Sequence, residues 1–73
     1  MLINCQTGAE NEVLKELEKI DNVEEAYAVY GVYDIIIKIK ADTEENLKNI
    51  SAWKIRRLDR IRSTLTMIVM EGA

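Results

Sequence analysis

The 73-residue chain contains no histidine, no proline, a single cysteine (Cys5) and three glycines. Without histidine it lacks the commonest general base and the commonest metal ligand. One thiol excludes an internal disulfide, and the lack of any second thiol or imidazole argues against a structural zinc site. No apolar run approaches the about 20 residues that span a bilayer, and no charged region, apolar core and cleavage site mark the amino terminus. A cytoplasmic protein is expected, and a lone thiol suits a reducing compartment. The net charge of −3 and a pI near 4.9 weigh against a free-standing nucleic-acid binder, which carries a basic excess on one face. One basic cluster exists, Lys54, Arg56, Arg57, Arg60 and Arg62, interleaved with Ile55, Leu58 and Ile61. Its plain reading is the solvated end of a helix, where cations complement the dipole, against a rival reading as a phosphate-tracking surface.

What is present is a repeat. Ile20-Asp21-Asn22-Val23 recurs 38 positions later as Leu58-Asp59-Arg60-Ile61, in the same apolar, acidic, polar, apolar order. The duplication predicts a strand-helix-strand unit used twice. Tyr30-Gly31-Val32-Tyr33-Asp34 is the tight turn between the halves, set between strands Glu24 to Tyr30 and Tyr33 to Lys40. Met1 to Gln6 alternates as a first strand. Thr7-Gly8-Ala9-Glu10 reads as a capping box that opens a helix with Val13, Leu14, Leu17 and Ile20 on one stripe. Ile35, Ile37 and Ile39 give the clearest period of two. Asp42-Thr43-Glu44-Glu45 opens a second helix, with Asp42 as cap and Leu47, Ile50 and Trp53 turned inward. No proline or glycine ends it, so the repeat sets its limit near Leu58. Ile61 to Met70 is the fourth strand.

The order βαββαβ, with right-handed crossovers, predicts an α+β ferredoxin-like sandwich over 1–73: one four-stranded antiparallel sheet with both helices on one face. A chain this short buries only about 60% of its unfolded surface, so its core is marginal and self-association is the remaining support. Two helices shield one side of the sheet. Yet Tyr27 and Val29 oppose Ala26 and Ala28, Ile36 opposes Ile35 and Ile37, and Leu65, Met67 and Val69 oppose Ile68 and Met70. Both faces are apolar, which predicts a homodimer joined through its sheets, with higher assembly on top.

Chemistry for catalysis is missing. Glu10, Glu12, Glu16, Glu18, Glu24 and Glu25 fall on helix surfaces or strand edges, and acid and base roles require burial that this pattern does not suggest. Ser63, Thr64 and Thr66 have no base to activate them, and Cys5, with no basic neighbour, reads as a small core residue. Gly8 and Gly31 are isolated and form no phosphate loop. Trp53 reads as packing at the edge of the core or a subunit contact rather than as a stacking platform. No catalytic residue, metal ligand or cofactor is expected.

Gly31-Val32-Tyr33-Asp34, the Ile/Lys alternation of Ile35 to Lys40 and the last strand Arg62-Ser63-Thr64-Leu65-Thr66-Met67-Ile68-Val69 together resemble the effector-binding domain of the Lrp/AsnC family of transcriptional regulators. The resemblance runs from Met1 to Met70. Relatives commonly carry Leu-Pro-Gly-Val where this chain has Leu58-Asp59-Arg60-Ile61, and full-length members carry a helix-turn-helix domain in front. The resemblance therefore implies a stand-alone effector module without direct nucleic-acid contact, regulating indirectly through a full-length relative. It implies dimers paired through their sheets, rings such as tetramers of dimers, and an amino-acid effector in clefts between dimers. It places Gly31, Tyr33 and Asp34 near such a cleft, with Thr64 and Thr66 as neighbours. Glycine allows close backbone approach, and a carboxylate such as Asp34 accepts from an α-ammonium. Each residue also has a plainer role: positive φ for Gly31, subunit contact for Tyr33, turn amides for Asp34, strand formation for the threonines. Three rivals stand beside the sensor: a structural interaction module with an empty cleft, a cofactor-free dimeric ferredoxin-like enzyme, and a nucleic-acid binder using Lys54 to Arg62.

Overall fold

Alternating apolar residues in four short segments and two amphipathic stretches build one antiparallel sheet backed by helices in the computed structural model, which describes residues 1–69. The elements are β1 (Leu2–Cys5), α1 (Glu10–Glu18), β2 (Val23–Ala28), β3 (Ile35–Ile39), α2 (Glu44–Ile50) continued by a π-helical turn (Ser51–Ile55), and β4 (Ile61–Leu65). The strand order is β2-β3-β1-β4, so β3 and β1 are central and β2 and β4 are edges, the ferredoxin-like arrangement expected. Ile3, Leu17, Ile35, Ile37 and Ile55 are completely enclosed between sheet and helices. Among the described residues no helix is long and apolar enough to cross a membrane.

The internal repeat is written into the hydrogen bonds. Val23 N–H donates to the Ile20 carbonyl at 3.0 Å, and Ile61 N–H to the Leu58 carbonyl at 3.2 Å. Behind these turns the Asn22 carbonyl accepts from Lys40 N–H and the Arg60 carbonyl from Gln6 N–H, both at 2.8 Å. Val23 then pairs with Ile39 and Ile61 with Cys5, and the register slips immediately afterwards in both ladders. Glu24 and Arg62, also 38 positions apart, are the extra residues of matching β-bulges, which re-aim side chains at a sheet end.

Several boundaries differ from the sequence reading. Thr7 caps nothing: Ala9 holds the N-cap position of α1 without a side-chain bond. Ala9 N–H instead donates to the Gln6 carbonyl at 3.0 Å with Gly8 at φ +87°, a turn with glycine at its third position, so Glu10 begins the helix. Thr43, not Asp42, caps α2, its Oγ1 accepting from Asn46 N–H at 3.1 Å, while Asp42 accepts from the Asn46 side chain. β2 stops at Ala28 and β3 starts at Ile35, leaving a six-residue loop rather than a tight turn, closed by Val29 N–H on the Asp34 carbonyl at 2.8 Å. β4 ends at Leu65, and Met70 lies outside the described residues.

Trp53 does not turn inward; it is 71% exposed. Beyond Ile50 the helix widens, with Arg56 N–H reaching back five residues to the Ser51 carbonyl at 3.0 Å. The next buried apolar residue after Ile50 is therefore Ile55, five positions on, and Trp53 swings out of the stripe.

Candidate functional site

The 29–34 loop leaves β2 with Tyr30 and Val32 fully or almost fully exposed and Gly31 at φ +151°. A Cβ at Gly31 would meet no atom within 4 Å, so glycine serves the backbone conformation there rather than a tight contact. Tyr33 is half-buried where the chain returns to the sheet. Asp34 is fixed on three sides: its N–H donates to the Ile3 carbonyl at 3.0 Å, its carbonyl accepts from Val29, and its Oδ2 accepts from Cys5 N–H at 2.9 Å. The carboxylate thus satisfies an amide at the end of β1 that faces β3 just beyond the start of that strand at Ile35.

Asp34 accepts through its side chain from no other backbone N–H among the described residues. It belongs to a cleft of 470 Å³ that Asn4, Cys5, Thr7, Arg62 and Ser63 also line. Asn4 Nδ2 donates weakly to Ser63 Oγ at 3.4 Å across one wall. Arg62, projected by the bulge, makes no ion pair among the described residues. The cleft therefore offers a carboxylate acceptor, a guanidinium and three small polar side chains, a set matched to an ammonium and a carboxylate on one small molecule. Burial, followed by the charges of Asp34 and Glu10, pushes the Cys5 thiol up, so it stays a neutral wall and not a nucleophile.

Thr64 and Thr66 lie elsewhere. Thr64 sits opposite Ile3 on the helix-covered side of β4, and its Oγ1 accepts from Arg56 Nε at 3.3 Å. Thr66 follows β4 and lines a 420 Å³ groove against α2 with Leu47, Lys48, Ser51, Arg56 and Ile68. Ser51 Oγ in that wall is buried with no hydrogen-bond partner. The five predicted residues thus divide into two groups: Gly31, Tyr33 and Asp34 on the loop at the β1/β3 end, and Thr64 and Thr66 beside α2. Both clefts stand open on one side.

Arg62, Ser63, Asn4 and Thr7 were not singled out as ligand groups in the sequence. Arg62 was absorbed into the basic cluster. That cluster disperses: Lys54 donates to Asn22 at 3.0 Å, Arg56 to Thr64, and Arg60 pairs with Glu12. The signal available was the repeat, since Arg62 stands 38 residues after Glu24 directly behind the repeated turn.

On the uncovered face one row crosses all four strands in register: Tyr27 opposite Ile36, Ile36 opposite Leu2, Leu2 opposite Leu65. Tyr27, Ile36 and Leu65 are 55%, 40% and 45% exposed, an apolar belt open to water. The Glu25–Lys38 pair flanks it on one side and the Asn4–Ser63 pair on the other.

The family described as the Lrp/AsnC ligand binding domain matches residues 1–73. The regulatory protein AsnC of Haemophilus influenzae is 42% identical over 60 residues, which span 82% of this chain and 40% of that protein. Among solved structures, FFRP-DM1 superposes with a TM-score of 0.90 at 40% identity, covering 94% of this chain and 92% of that one. Escherichia coli AsnC superposes with a TM-score of 0.92 at 33% identity, covering 97% of this chain and 48% of that one.

Proposed function

This chain belongs to the Lrp/AsnC ligand binding domain family, and from that premise we propose that it is a non-catalytic sensor of a small amino acid that works as a sheet-paired oligomer. The chain spans about 40% of the length of the curated relative described above, so its place in regulation is part of the proposal. It acts in the cytoplasm through other chains, a full-length relative among them. The observation that carries the reading is the cleft holding Asp34 and Arg62 at one open end of the sheet. An α-ammonium meets Asp34 Oδ1 and an α-carboxylate meets Arg62, while Gly31 and Tyr33 lie on the loop beside them. The second group, Thr64 and Thr66, completes the pocket from a neighbouring copy. The belt of Tyr27, Ile36, Leu2 and Leu65 is the surface through which two copies pair, because burying it removes apolar area from water at about 25 cal/mol per Å².

A ligand that prefers the folded assembly stabilises it by mass action, about 2.7 kcal/mol at one hundred times its Kd. For a domain of this size each kcal/mol moves the thermal midpoint by about 4–8 °C. A screen of the twenty amino acids by thermal shift is expected to find one or a few that raise the midpoint. Asp34→Asn is expected to abolish that rise while leaving the oligomer intact, since the amide oxygen still accepts from Cys5 N–H. No shift with any amino acid at millimolar concentration sinks the sensor reading.

A further inference from the structure

At the far end of β3 from Asp34 a groove of 710 Å³ opens between the Asp21–Asn22 turn, the segment 40–42 and α2 with its π turn. That volume lies within the range of small-molecule sites, about 300–1,000 Å³. Ile50, 7% exposed, is its buried apolar side, and the exposed Trp53 ring is a second wall. Most charges around it are already engaged. Lys40 pairs with Glu24 at 3.9 Å, Lys54 Nζ donates to Asn22 Oδ1 at 3.0 Å, and Asp42 is bonded to the Asn46 side chain. The lining groups without a side-chain partner among the described residues are the Trp53 indole, the Asn49 amide and the Asp21 carboxylate.

The π turn is the second observation. With regular α-helical spacing Trp53 would continue the stripe of Leu47 and Ile50, and the sequence reading placed it there. The inserted width sends Ile55 to the core instead and delivers Trp53 to the groove. Such turns are rare and concentrate at functional sites.

We propose that this groove binds an uncharged, amino-substituted aromatic heterocycle of the nucleoside class, stacked on Trp53. An indole face accepts any planar base. The Asn49 amide presents a donor beside an acceptor, the pattern complementary to a ring nitrogen next to an exocyclic amine. Asp21 accepts from sugar hydroxyls. Asp21, Glu24 and Asp42 outnumber Lys40 and Lys54 in the lining, so the groove does not favour a phosphate. The site is separate from the Asp34 cleft, and the amino-acid reading stands or falls without it.

Trp53 is the only tryptophan, so its fluorescence reports this groove alone. Adenosine titrated into the full chain, excited at the red edge of the indole band, is expected to quench Trp53 saturably. Asn49→Ala is expected to weaken binding about fivefold, the equivalent of one hydrogen bond, and purine riboside, which lacks the exocyclic amine and puts no polar group in its place, to bind more weakly by a similar factor. Asp21→Ala, at an exposed position, removes the acceptor for the sugar hydroxyls and is a second variant expected to weaken binding. Quenching that stays linear in nucleoside, or that is identical in the wild type, Asn49→Ala and Asp21→Ala, is collisional and overturns the proposal.

Discussion

Asp34 carries two duties through one carboxylate. Oδ2 holds Cys5 N–H while the side chain also borders the cleft, so charge and hydrogen-bond acceptance are separable by substitution. Asp34→Ala leaves a part-buried amide unsatisfied and is expected to cost about 1–3 kcal/mol in chemical denaturation, whereas Asp34→Asn retains most of that stability. Equal losses in the two variants would assign the stabilisation to charge. Cys5 beside it has a pKa raised above 9.0 by burial, with Asp34 and Glu10 adding to the effect. The folded state therefore holds the thiol proton more tightly than the unfolded chain does. Its contribution is fully present below pH 9 and is lost as pH rises through the raised folded value. Cys5→Ala is expected to flatten that alkaline fall in stability, read as the slope of the denaturation midpoint against pH. A slope unchanged by the substitution would mean that the thiol does not titrate differently on folding.

Among the elements, the second helix shows where pattern reading stops. Ile35, Ile37 and Ile39 were legible because a strand has one period, and all three face the helices in the structure. The repeated tetrapeptide was legible because identical turns need identical residue types. Trp53 was misread because counting three or four from Ile50 assumes 3.6 residues per turn, and a π turn breaks that count without any glycine or proline to announce it. Thr7 failed for a related reason: Thr-x-x-Glu fits a capping box, but Gly8 at φ +87° spends those residues on leaving β1. Half of the candidate site was readable, the glycine loop with its aspartate. The other half, Arg62 with Ser63, depends on a bulge that no residue type marks. The π turn makes a sharp comparison possible. Ile55→Ala should cost about 2–5 kcal/mol, as for a fully enclosed isoleucine, and Trp53→Ala no more than about 0.5 kcal/mol. Urea unfolding of both variants checks this, and the reverse ranking would restore a regular helix with Trp53 in the core.

At the scale of the whole molecule, two similar halves give one sheet whose helix side is sealed and whose other side carries an apolar belt four strands wide. A single copy leaves Tyr27, Ile36 and Leu65 in water, and open-ended clefts at Asp34 and at Thr66. Pairing through the belt and closure of the clefts by further copies make one account of both features. Ile36 is the central exposed member of the belt, and Ile36→Lys places a charge beside its counterpart in a sheet-paired dimer. The direct measurement is sedimentation equilibrium at micromolar concentration, on the wild type and on Ile36→Lys. The account predicts a wild-type mass of at least twice 8.4 kDa and a shift of the variant toward 8.4 kDa. A folded wild-type species of 8.4 kDa would contradict it.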